Sequence, residues 1–436
     1  MKGKNMKSVV GFLAGISLSS ITMAETLTLQ AAQEKLLAAN PDLRIQREEQ
    51  DKAEAQLSEA RAAYWPSLDA SASYQAFSKA TEINIDMPAP IGGIHKTLGD
   101  KDREEYGIDL TYPLFLGGGR GQQIKARRSS VEAQGERVRA AENQTSLRLA
   151  ALYYAWNQAE AARQSQESVA GFHREYADRI AKLVKGGAAL PSREAAAKAK
   201  LLGAELDLRT AMDLRDSIGR ASALLLGIPP ESPFAFAVDN GTSNPSQGTA
   251  EKRHELSYLE KTSTSLEHQE KAIFSQKFPT VVALAGYRLA NPGLSQGANS
   301  YMDYGLVGVQ VKWNLFDGFK NQAQRAQTRI QRDEIRTELQ RQTSSFEEAE
   351  VSAQKTLDRL KQSQEVAQAA WDAAKLALSE TQAQHTHGTA TDLELLDAQV
   401  LEAKSALLVR QLALQQRLAT WQWRYVRGET LKFAGE

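Results

Sequence analysis

Ser67-Leu68-Asp69-Ala70-Ser71-Ala72-Ser73-Tyr74-Gln75-Ala76 alternates without a break, with Leu68, Ala70, Ala72, Tyr74 and Ala76 on one side and Asp69, Ser71, Ser73 and Gln75 on the other. Period two is the mark of an extended strand with one apolar and one polar face. Three further stretches share it. Tyr106, Ile108, Leu110 and Tyr112 oppose Gly107, Asp109 and Thr111. Val281, Ala283, Ala285 and Tyr287 make a third set, and Val307, Val309, Val311 and Trp313 oppose Gly308, Gln310 and Lys312. Strands are therefore expected near 66–77, 105–113, 279–289 and 304–314.

The strands come in two pairs because the chain is written twice. Pro66 precedes Pro279 by 213 residues, and Pro41-Asp42-Leu43 faces His254-Glu255-Leu256 at the same spacing. Leu114-Phe115-Leu116-Gly117 matches Leu315-Phe316-Asp317-Gly318 at 201, a spacing kept by Gly187/Gly388 and Gly227/Gly428. The offset of 12 falls between the strands of each half, where a loop tolerates insertion. The first repeat spans 25–226 and the second 251–428. Between them 227–250, rich in Pro, Gly, Asn and Ser, reads as a linker, and 429–436 as a C-terminal tail.

Each repeat reads helix, strand, loop, strand, very long helix, turn, shorter helix. The long helices, 119–185 and 318–385, contain no proline and would each reach about 100 Å. Shorter helices follow at 191–226 and 391–426. Ala323, Ala326, Ile330, Leu339, Phe346, Ala353, Leu357 and Leu360 give the second long helix only a thin apolar stripe. Such a helix packs narrowly on its neighbours in a coiled-coil or tubular assembly. The helix before the first strand and the one after the turn together nearly match a long helix. Stacked end to end, they could pair with it along a tube wall.

Lys2, Lys4 and Lys7 precede an apolar run from Val9 to Ile21 that ends at Thr22-Met23-Ala24. That order predicts a secretory signal peptide over 1–24, too short to span a bilayer. No later segment could be a transmembrane helix, so the exported chain either stays in the periplasm or enters a membrane by strands. Four amphipathic strands cannot close a barrel, and an open edge in lipid would strand backbone groups. Three chains would supply twelve strands around an open lumen, with Asp69, Ser71, Asp109 and Gln310 facing water. A soluble β-layer packed on helices fits the alternation equally well.

Balanced charge, 53 basic against 53 acidic residues, gives no reason to expect a nucleic-acid partner. Absence of cysteine removes disulfides, thiolate metal sites and a lipid-modified cysteine. No Ser-His-Asp order or HExxH helix occurs, so an enzyme is not expected. His385 and His387 lie two apart without a third ligand and predict no metal site. Gly117-Gly118-Gly119-Arg120-Gly121 lacks the ending of a phosphate loop, and no cofactor is expected.

The order of Trp65-Pro66-Ser67-Leu68, Tyr112-Pro113-Leu114-Phe115, Leu315-Phe316-Asp317-Gly318, and Gly388-Thr389 followed by Leu393-Glu394-Leu395-Leu396-Asp397-Ala398 resembles the TolC-like outer membrane factor family over the whole mature chain. The resemblance implies an α+β membrane protein. Long helical hairpins would form a periplasmic α-barrel, and four strands per chain would contribute to a trimeric twelve-stranded transmembrane β-barrel. It implies a homotrimer in outer-membrane lipid that docks on a periplasmic adaptor and an inner-membrane transporter. Such a duct conducts passively in efflux or type I secretion. A soluble periplasmic coiled-coil adaptor or scaffold is the competing expectation.

By the same resemblance Gly187, Ala188, Ala189 and Leu190, with Gly388, Thr389, Ala390 and Thr391, are tips that meet the adaptor. Glu394 and Asp397, three apart on one helix face, match the family's acidic aperture and would form a ring of six carboxylates in a trimer. Ser192, Arg193 and His385 are candidate gate contacts. The pattern departs from the family at Arg193, where an acid is expected, at Ala390, often arginine, and at His385, where an aromatic hydroxyl is familiar. Arg193 is expected to pair with Glu394 or Asp397 and hold the tip closed.

Overall fold

The computed structural model describes residues 25–85, 93–98, 101–229, 234–239, 252–293 and 300–433; the leader expected at 1–24 lies outside them. The first repeat runs β1 (Glu25–Leu27), α1 (Leu29–Ala39), α2 (Pro41–Ala62), β2 (Ser67–Ala76), β3 (Thr81–Ile85), β4 (Ile94–Leu98), β5 (Asp102–Leu116), α3 (Gly119–Lys185) and α4 (Pro191–Leu225). After β6 (Phe234–Phe236), the second runs α5 (His254–Ser275), β7 (Thr280–Asn291), β8 (Met302–Lys312), α6 (Lys320–Thr386) and α7 (Asp392–Val426). No described helix is long and apolar enough to cross a membrane.

The large sheet is antiparallel in the order β2-β5-β7-β8, so β2 and β8 are open edges. Register sorts the side chains by face. Leu68 lies opposite Leu110, Ala70 opposite Ile108, and Tyr287 opposite Ile108 on the other flank. Ala285 and Ala283 continue that row pattern to Val307 and Val309. This face is bare: Val307 is 90% exposed and Leu68 70%. The other face gathers Asp69, Ser71, Gly107, Asp109, Arg288 and Gln310. At Pro113, which has no N–H to give, a bulge carries β5 out of register with β7 before the chain turns into α3.

Below the sheet, α3 and α6 each run 67 residues. α2 and α4 pack along one flank of α3, while α5 and α7 lie between α3 and α6. The two short helices of each repeat meet end to end. Asn40 accepts from Leu43 N–H at 2.9 Å to cap α2, and its Nδ2 donates to the Leu225 carbonyl at the end of α4 at 2.7 Å. Arg253, 213 residues later, donates to the Tyr425 and Val426 carbonyls ending α7 at 2.9 and 2.8 Å. Each bridge satisfies carbonyls that a helix end leaves open.

The principal core surrounds the middle of α3, where Leu149, Tyr153, Tyr154 and Trp156 meet Leu36, Leu226, Phe236, Leu414, Trp421, Leu431 and Phe433. Here the architecture differs from the sequence reading. The segment read as a linker contains β6, paired parallel with β1 and buried through Phe236. The stretch read as a tail is core: Asn143 accepts from Leu431 N–H at 2.7 Å, Gln33 accepts from Phe433 N–H at 2.9 Å, and Arg424 pairs with buried Glu429 at 2.7 Å. The first inter-strand loop carries the extra hairpin β3–β4. Side-chain amides stand in for strand partners along the tail, so its backbone groups are paired without a sheet.

Candidate functional site: the helical tips

At the end remote from the sheet, α3 turns into α4 and α6 into α7 through the same backbone. Ala188 N–H returns to the Leu183 carbonyl at 2.8 Å and Thr389 N–H to the Gln384 carbonyl at 2.9 Å. Gly187 and Gly388 sit at φ 74° and 75°, the left-handed position that closes a helix and suits glycine.

The restarts differ. α4 begins at Pro191 behind Leu190, which has no side-chain cap and is exposed. α7 begins with a full capping box: Glu394 N–H donates to Thr391 Oγ1 at 3.2 Å, and Thr391 N–H donates to Glu394 Oε2 at 2.7 Å. The Thr391 backbone N–H, then its hydroxyl, hold the Glu394 carboxyl below its ordinary value.

One charged knot ties the tips together. Arg179 on α3 donates to Asp392 Oδ1 at 2.8 Å, and His385 Nε2 lies 2.9 Å from the same oxygen. Asp392 opens α7, where a carboxylate also favours the positive end of the helix. Higher up, His173 faces α4 and α7. Burial pushes its imidazole below the ordinary value, Lys200 and Lys404 add to that, and Asp397 opposes it. Its Nδ1 is buried without a partner.

Of the residues singled out by sequence, Glu394 and Asp397 are exposed on α7, Gly187, Ala188, Gly388 and Thr389 are exposed at the turns, and Ala189 and Ala390 are half-buried there. His385 joins the knot. Ser192 and Arg193 lie exposed on the first turn of α4. Within the described chain Arg193 makes no ion pair with Glu394 or Asp397; the cation that bridges α3 to α7 near the tip is Arg179. Glu394 is held by its cap, and the Asp397 charge acts on His173. Sequence reasoning missed Arg179 and Asp392. The spacing Thr391-Asp392-Leu393-Glu394 was a readable capping signal, whereas nothing local marks Arg179.

A bare apolar sheet face with two open edges, carried on a wall of very long helices with charged tips, defines a channel subunit. A family model described as outer membrane efflux protein matches residues 32–225 and 247–422, and the chain belongs to that family, whose members are channels and not enzymes. Solved structures are similar over nearly the whole length. The Campylobacter jejuni CmeC outer membrane channel gives a TM-score of 0.75 at 14% identity, covering 100% of this chain and 96% of that one. VceC of Vibrio cholerae gives 0.70 at 17%, covering 92% and 96%. The open state of Neisseria gonorrhoeae MtrE gives 0.70 at 19%, covering 94% and 90%. At these identities the likeness is one of fold. No curated protein matches the chain.

Proposed function

We propose that three copies form the exit duct of a tripartite efflux or type I secretion system. The duct passively conducts cargo handed on by a periplasmic adaptor and an inner-membrane pump. The observation that carries this is the four-stranded sheet, which is apolar on one face and unpaired at both edges. For a single chain the bare face is unstable in water and the open edges are unstable in lipid; membrane insertion covers the face, and edge-to-edge closure of three sheets pairs the edges. In this reading the helical turns at 187–190 and 388–391 meet the adaptor. Glu394 and Asp397 of three chains crowd carboxylates at the mouth, favouring cations, and the Arg179–Asp392–His385 knot holds it narrow.

The soluble-adaptor reading would need a layer covering the apolar face, and the described residues place no helix over it. The deciding experiment purifies the mature protein from outer membranes in detergent and records it in planar bilayers. A heat-modifiable trimer with discrete conductance steps is expected. A detergent-independent monomer without conductance overturns the proposal.

A further inference from the structure

The polar face of the sheet carries a charge cluster remote from the tips. Arg288 on β7 lies opposite Gly107 on β5 and reaches both diagonal neighbours. It pairs with Glu105, and its Nη2 meets Asp109 Oδ1 and Oδ2 at 2.9 and 3.1 Å. The backbone is fitted to this arrangement. A Cβ on Gly286 would stand 2.7 Å from Asp109 Oδ1, and one on Gly107 would stand 3.1 Å from Ser71 Oγ. The missing side chains let the triad lie flat against the wall. Arg103 also meets Glu105, at 3.2 Å, and Asp69 stands beside Asp109 in register. Together these five residues hold three carboxylates and two guanidinium groups.

We propose that the Arg288–Glu105–Asp109 triad is the charge filter of the membrane-embedded barrel, a cation-favouring station separate from the carboxylates at the tips. The inference rests on the trimeric-duct reading. All three residues belong to the two inner strands of the sheet, so closure with neighbouring copies at β2 and β8 leaves the triad intact. Each chain contributes one net negative charge to this level of the lumen, and substitutions on the water-facing side of a barrel tune selectivity. Lying flat, the triad biases the small ions without obstructing bulky cargo.

The test is the reversal potential of the trimer in a planar bilayer under a potassium chloride gradient. Arg288→Gln is expected to raise the cation-to-anion permeability ratio about twofold and Asp109→Asn to lower it comparably, while Arg288→Lys leaves it near wild type. Opposite signs for loss of a cation and of an anion, with the charge-preserving variant silent, distinguish a field from a brace. Unchanged reversal potentials in both Arg288→Gln and Asp109→Asn overturn the filter, as does a Lys variant that shifts as far as Gln. Should a triad variant fail to assemble, Asp69→Asn, which makes no hydrogen bond or ion pair with the triad, must lower the ratio. Wild-type protein that conducts nothing at all fails the duct reading instead.

Discussion

Arg253 and Asn40 show how one structural task is met by different chemistry at equivalent residues. Asn40 bridges two helix ends with a neutral amide. Arg253 does so with a buried guanidinium that also stacks on Phe346 at 3.5 Å and pairs with Glu255 at 3.1 Å. Truncating it uncovers two carbonyls and leaves Glu255 short of its partner. Arg253→Ala is therefore expected to cost about 3 kcal/mol, read as a lowered denaturation midpoint of the helical signal, against about 1 kcal/mol for Asn40→Ala. His173 belongs to this scale as well. Its folded value lies below its ordinary 6.5, so the folded state binds the proton less readily than the unfolded one. Stability from the neutral ring is complete above that ordinary value and declines as pH falls beneath it. Lys200, Lys404 and Asp397 are the charges facing it. His173→Gln is expected to flatten the loss of thermal stability between pH 7 and 5 that wild type shows, a comparison that scanning calorimetry in detergent can make.

The elements differ in how much of them the sequence carried. Alternation exposed the four long strands because each has one apolar face and one polar face, and the absence of proline exposed α3 and α6. β1 and β6 are three residues each, too short for any period to register, and only the core they share makes them strands. The 429–433 stretch is held by Asn143 and Gln33, which are distant in sequence, so it carries no local signal either. At the tips the glycine turns and the Thr391–Glu394 capping spacing are legible in the sequence; Arg179 needed the packing of α3 against α7. The two restarts then predict unequal mobility. Amides in the first turn of α4 should exchange with deuterium faster than those of α7. Thr391→Ala should remove about 1 kcal/mol of protection from the α7 turn and erase the difference. Because Glu394 is held below its ordinary value, its contribution is complete above that value and disappears as pH falls through the lowered one. Acidification alone should therefore also loosen α7 while leaving α4 unchanged.

At the level of the whole molecule, the decisive asymmetry is between α3 and α6. α3 is flanked by short helices on both sides, whereas among the described residues α6 packs chiefly on α5 and α7, leaving Val366 and Leu376 exposed. The far flank of the chain, α2 and α4, is bare in turn, with Leu202 and Leu206 in the open. The sheet repeats the pattern above, since β2 and β8 are unpaired on the same two flanks. A seam that joins α6 of one copy to α4 of the next therefore also joins β8 to β2, and one rotation satisfies both layers. The helical rise fixes which residues meet. Leu202 follows Pro191 by 11 residues and Leu376 precedes Thr386 by 10, placing both about 16 Å above the tip. The chain has no cysteine, so introduced thiols report without background. A protein carrying Leu202→Cys and Leu376→Cys, treated with a short bis-maleimide, should run on denaturing gels as dimers and covalent trimers, while either single variant stays monomeric. Linkage absent from the double variant, in a preparation that still migrates as a trimer before boiling, would place the seam elsewhere. The closure of the barrel would then have to be set by the strands alone.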